Sequence, residues 1–160
     1  MHLTTFTDYS LRVMMYVALS ADLVTIDKIA AAYGISRNHL MKVVFRLGQL
    51  GYLETIRGKG GGMRLARPPG NITIGRLIRQ TEDDIGLVEC FQRRGRSCTI
   101  APACILRGVM REALDAFLAV LDGYTLADLI EPKRQLCRLL AIPAPLTKPH
   151  SGALPGKRQP

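Results

Sequence analysis

Apolar positions in the first fifty residues recur at helical spacing in three separate runs. Leu11, Met14, Met15, Ala18 and Leu19 follow Thr7 and Asp8, two good helix-start residues, and predict a first helix over about residues 8–20. The run IDKIAAAYG predicts a short second helix stopped by Gly34. RNHLMKVVFRLGQLG predicts a third, capped by Ser36 and closed by Gly51. Two helices joined by the tight turn YGIS form a helix-turn-helix, whose second helix can lie in a DNA major groove. The pattern then becomes strand-like. YLETI and MRLAR flank RGKGGG, where four glycines in six residues permit positive φ, and Arg57, Lys59, Arg64 and Arg67 place cations along the hairpin. A helix-turn-helix followed at once by a basic hairpin reads as a winged helix.

Helical spacing returns in ITIGRLIRQTEDD, which predicts a linking helix. Beyond a cysteine-bearing segment, Pro102 stands where a helix would begin, a position proline tolerates. Leu106, Met110, Leu114, Phe117 and Leu121 then recur at spacings of three and four through LDGY. One helix of about twenty residues needs a surface on which to bury such a stripe, and a second copy of the same helix is the expected partner. TLADLI and PKRQLCRLLAI predict two short helical pieces, and PAPLTKPHSGALPGKRQP carries no periodicity and reads as a disordered tail. The expected architecture is mainly α with a small β-hairpin. A winged helix-turn-helix domain (1–82) leads through a cysteine loop (83–104) to a dimerisation helix with short C-terminal helices (105–142) and a tail (143–160).

Composition fits this frame: 160 residues, nearly half of them hydrophobic, suffice for one domain plus a dimerisation element. No apolar run is long enough to span a bilayer. LRVMMYVALSA has the look of a leader's apolar core, but Asp8 and Arg12 flank an amphipathic run, so a soluble cytoplasmic protein is expected. The formal charge of +9 favours an anionic partner, nucleic acid before membrane. Within the third helix, Ser36, Arg37, Asn38 and His39 occupy the end that normally meets base edges. Arg37 suits guanine and Asn38 adenine, whereas Lys42, Arg46 and the hairpin cations Arg57, Lys59 and Arg64 suit phosphates. The plainer readings are a cap for Ser36 and a solvated helix residue for His39. No nucleophile–base pair, phosphate loop or carboxylate dyad stands out, so an enzyme is not expected and no catalytic residue is assigned.

The segment ECFQRRGRSCTIAPAC carries Cys90, Cys98 and Cys104 in a C-x7-C-x5-C spacing. A cytosolic setting disfavours a disulfide. Zinc sites show closer cysteine pairs and a clear fourth ligand. Three thiolates on one loop can ligate three corners of an iron–sulfur cluster. From spacing alone, a cluster, zinc and inert thiols all stay open. Cys137, beside Leu136, Leu139 and Leu140, reads as a buried hydrophobe. A cluster would need a fourth donor, for which Asp8, Glu89, Asp83, Asp84 or a distant histidine are candidates, and Arg93, Arg94 and Arg96 would partly offset the thiolate charge.

Together, LTTFTDYSLRVMMYVAL, YGISRNHLMKVV, GYLETIRGKGGGMRLARP, ECF…C…PAC and FLAVLDGYTLADL resemble the dimeric winged-helix iron–sulfur regulators, over about residues 1–142. FTDY, SRNHL and YTLADL look most like the NsrR-type branch of nitric-oxide-sensing repressors. The resemblance implies that Cys90, Cys98 and Cys104 are metal ligands and that Asp8, in FTDY, is the fourth, contributed across a homodimer. It implies a [4Fe–4S] cluster in preference to [2Fe–2S], double-stranded operator DNA as partner, and nitric oxide as signal. The x7 spacing resembles the iron-responsive RirA branch, the second reading, with a zinc-stabilised winged-helix regulator behind it. The histidine ligand of the IscR branch has no counterpart in ILRGVMREAL after Cys104.

Overall fold

The computed structural model describes residues 2–91 and 98–143; Arg93, Arg94, Arg96 and the expected tail beyond Pro143 lie outside them. Among the described residues the chain forms seven α-helices and one two-stranded antiparallel sheet. The first helix, α1 (Thr5–Leu19), starts three residues earlier than Thr7 and Asp8 suggest. The Thr4 hydroxyl accepts the Thr7 N–H at 3.3 Å and so caps the helix, while Glu82 accepts the Thr4 N–H at 2.7 Å. Thr7 serves elsewhere: it is fully buried, and its hydroxyl donates to that of Thr81 at 2.9 Å.

Helices α2 (Ile26–Tyr33) and α3 (Arg37–Gln49) form the helix-turn-helix. Thr25 and Ser36 cap them, and Gly34 makes the turn at φ 64°, a left-handed conformation that glycine adopts without strain. Leu40, Val43, Val44 and Leu47 form the buried stripe of α3. The hairpin pairs β1 (Leu53–Ile56) with β2 (Gly62–Leu65), with Glu54 opposite Arg64 and Ile56 opposite Gly62. Val24 adds a third edge, exchanging both backbone hydrogen bonds with Met63 at 3.0 and 2.7 Å. That approach needs Gly62, since a Cβ there would lie 2.8 Å from the Val24 carbonyl oxygen.

The predicted linking helix is shorter and more central than a linker. α4 (Ile74–Thr81) buries Ile74, Leu77 and Ile78 in the same core as α1 and α3. Pro102 does not begin the long helix: it lies in a one-turn 3-10 segment, Ala101–Ala103, and α5 (Ile105–Asp122) starts after Cys104. Two short helices follow, α6 (Leu126–Leu129) under a Thr125–Asp128 capping box and α7 (Lys133–Leu139). They fold back on α1, so Leu126, Cys137 and Ile142 complete the core begun by the first three helices. Backbone bonds from Ile74 to Tyr124 and from Leu126 to Ile72 fasten the end of α5 to the start of α4.

Candidate nucleic-acid interface and cysteine loop

The N-terminal end of α3, expected from the sequence to meet base edges, is open to solvent. Ser36, Arg37, Asn38 and His39 are all exposed, as are Lys42 and Arg46 further along. Two of them have partners within the chain. Arg37 pairs with Asp27 of α2 at 3.0 Å, and the His39 ring lies 6.2 Å from that of Tyr9 in α1. Ser36 acts as the cap, its hydroxyl accepting the His39 N–H at 3.4 Å.

The hairpin cations divide. Arg57 and Lys59 sit at the exposed tip and form no ion pair among the described residues. Arg64 is bound by Glu54 directly across the ladder at 2.9 Å, which neutralises much of its charge. Arg67, grouped by sequence with the hairpin cations, is a structural staple. Its guanidinium donates to the Gly51 carbonyl at 2.7 and 3.0 Å and to that of Leu50 at 3.2 Å, and it stacks 4.8 Å from the centre of the Tyr52 ring. It thereby satisfies carbonyls at the C-terminal end of α3. Spacing alone gave no signal for this role, which depends on how the hairpin folds back.

Asp8 lies in the first turn of α1 and is half exposed. Its carboxylate accepts from Arg12 at 2.9 and 3.1 Å, and this bond pushes the Arg12 pKa up. The same guanidinium stands 5.7 Å over the ring of Tyr33, the last residue of α2. The first two turns of α1 therefore touch both helices of the helix-turn-helix, through Arg12 on Tyr33 and Tyr9 on His39.

The cysteine loop runs between α4 and α5. Cys90 belongs to a one-turn segment, Glu89–Phe91, and is half-buried; Cys98 is exposed; Cys104 is half-buried at the N-terminus of α5, where its side chain makes no capping hydrogen bond. All are free thiols, and Cys137 is buried in the core as the sequence suggests. Phe91, next to Cys90, is stacked under Arg111 of α5 at 4.6 Å, a contact that the sequence reading missed. Among the described residues no three His, Cys, Asp or Glu side chains converge on a common point. The donor set is nonetheless chemically suited to a thiophilic metal centre: three unoxidised thiols with polarizable sulfur, none of them needed by the core. Of the other candidate fourth donors, Asp83 and Asp84 are exposed, and Asp84 accepts the Gly86 N–H at 2.8 Å. Both line a depression of about 600 Å³ with Arg46, Arg79 and Arg111.

Helix α5 presents two apolar faces. Leu114 and Leu118 are buried, while Phe117 and Leu121 are half-buried, Leu121 packing on the core. Met110 and Phe117 share a groove with Leu3, Ile85 and Leu87. Of the stripe read from sequence, Leu114 is buried where α4 packs on α5 and Leu121 rests on the core, Met110 and Phe117 line the groove, and Leu106 is exposed. A second face, one notch round the helix, stays open: Ile105, Leu106, Val109 and Val120 are all more than half exposed.

Comparisons with known proteins agree with this geometry. A family profile described as Rrf2, iron-dependent transcriptional regulator, matches residues 3–132. The transcriptional regulator NsrR of Bacillus subtilis is 54% identical over 144 residues, covering 89% of this chain and 99% of that one. NsrR of Geobacillus kaustophilus is 52% identical over 142 residues, covering 88% and 97%. Among solved structures, IscR of T. potens superposes with a TM-score of 0.67 at 25% identity, covering 85% of this chain and 90% of that one. The oxidised form of CymR from Staphylococcus aureus does so with 0.66 at 26%, covering 82% and 97%. No helix among the described residues is long and apolar enough to cross a membrane.

Proposed function

Because the chain belongs to the Rrf2 family of iron-dependent transcriptional regulators, we propose that it is a repressor that binds palindromic operator DNA as a homodimer and lets go when nitric oxide reacts with an iron–sulfur cluster. Cys90, Cys98 and Cys104 would hold that cluster, with Asp8 of the partner subunit as the fourth ligand. The observation that carries the reading is the placement of three free thiols between a winged helix and a helix with an open apolar face. Bound there, the cluster supplies an iron centre that nitric oxide can attack.

The chain's own residues do the rest. Arg37 reaches a base edge by leaving Asp27, which costs little because both side chains are more than half exposed. Asn38 suits adenine beside it, while Lys42, Arg46, Arg57 and Lys59 neutralise phosphates. Arg64 contributes less, being held by Glu54. The open face of α5 buries itself against its copy in the dimer, setting half-sites about one helical turn of DNA apart. Ligation by Asp8 would draw carboxylate charge away from Arg12 and weaken the ion pair that stands over Tyr33 at the end of α2, one residue before the Gly34 turn.

The test is to purify Cys90→Ala, Cys98→Ala, Cys104→Ala and Cys137→Ala anaerobically and measure iron, acid-labile sulfide and binding to a selected operator duplex. The first three lose cluster and tight binding and Cys137→Ala keeps both; three variants that bind like wild type would sink the reading. An iron-responsive repressor is the second reading, favoured by the x7 spacing. Its release would follow iron chelation and hardly respond to nitric oxide.

A further inference from the structure

The exposed face of α3 carries two large apolar side chains that the helix-turn-helix does not use. Met41 is 48% and Phe45 68% exposed, although Leu40, Val43, Val44 and Leu47 already complete the buried stripe. Asn38, Met41, Lys42, Phe45 and Gln49 recur at spacings of three and four and so share one face, with cations close to the apolar pair. Asn38 to Phe45 spans about 10 Å of helix, roughly three base-pair steps of duplex. An apolar pair rimmed by polar and cationic groups marks an interaction surface, and the rim fits a polyanion.

The edges of base pairs in the major groove are polar with one exception, the C5 methyl of thymine. Resting on the DNA-binding reading above, we propose that Met41 and Phe45 are specificity-determining residues that pack on thymine methyl groups, giving each half-site a thymine requirement beyond the contacts of Arg37 and Asn38. The polar end of the face fixes register, and the apolar pair reads the neighbouring steps by burying methyls.

Deoxyuridine differs from thymidine only by that methyl, which makes the test specific. The full-length wild-type chain, purified anaerobically, is used to select a duplex from a random library. That duplex is then remade with deoxyuridine at one thymidine position at a time. Wild type is expected to bind about 4-fold more weakly for each methyl it buries, at one or two positions per half-site. Met41→Ala and Phe45→Ala bind more weakly overall and no longer distinguish the two bases at those positions. Both residues are exposed, so the variants should melt like wild type and keep its native mass. Wild-type indifference to deoxyuridine at every position overturns the proposal, as does undiminished sensitivity in both variants. A Phe45→Ala chain of altered oligomeric mass also overturns it, by placing the ring in a protein interface. Failure to enrich any duplex brings down the DNA-binding reading and this inference with it, whereas enrichment without methyl sensitivity removes only the inference.

Discussion

Arg64 and Arg67 lie three residues apart at the end of the hairpin and are indistinguishable by composition, yet their surroundings give them different work. Arg64 crosses the ladder to Glu54, and Arg67 turns inward to close the end of α3 over Tyr52. Arg67→Ala strands the carbonyls of Leu50 and Gly51 and is expected to lower stability by about 1–3 kcal/mol in urea unfolding. Arg57→Ala should leave stability unchanged. It should weaken DNA binding about equally for all sequences and reduce the salt slope of binding by about 1. The first-turn position of Asp8, the cap role of Ser36 and the burial of Cys137 were legible because their signals are local: a helix start, a capping side chain, an apolar setting. Sequence reading could not see Arg12 over Tyr33 or Arg111 over Phe91, since those contacts join residues far apart in the chain.

Helices α4 and α5 are locked together by Arg79, whose guanidinium grips both oxygens of Asp122 at 2.6 and 2.7 Å. Gly75 makes the room: a Cβ there would overlap the Asp122 carboxylate and crowd Arg79. Gly75→Ala is therefore expected to push the Asp122 side chain off Arg79 with little change in the midpoint of thermal unfolding, because the exposed ion pair is worth about as little as the gain in helix propensity from alanine. The Arg79 hydrogen bonds also hold the Asp122 carboxyl below its ordinary value of 3.8. A carboxyl depressed in the folded state adds stability above its unfolded pKa and loses that contribution as pH falls through the folded value. Urea midpoints between about pH 5 and pH 2 should thus fall more steeply for wild type than for Asp122→Asn. The elements themselves were legible because periodicity and caps are local physics. Their ends were less so: Thr4 displaced Thr7 as cap through tertiary contacts with Glu82, and α4 became core because α1 and α5 pack against it.

Across the whole molecule, the long helix was expected to bury its stripe on a second copy, yet part of that stripe is covered within the chain. Leu114 is buried within the chain, where α4 packs on α5, while Ile105, Leu106, Val109 and Val120 stay exposed, the face proposed above for a second copy. Spacing in one helix cannot divide its apolar residues between inside and interface; only the placement of α4 does so. Val109→Asp should halve the native mass while leaving the winged-helix core folded by circular dichroism. In the proposed dimer, the three thiols, Asp8 and the helix-turn-helix would become parts of one device. The most direct measurement of that claim follows the anaerobically purified protein on its selected duplex during nitric-oxide titration, with native mass spectrometry counting iron and sulfide. The account predicts a chain that arrives with iron and sulfide and loses operator affinity about 5- to 150-fold as the cluster reacts. Equal affinity before and after nitric oxide, or tight binding by a chain that never held iron and sulfide, would contradict it.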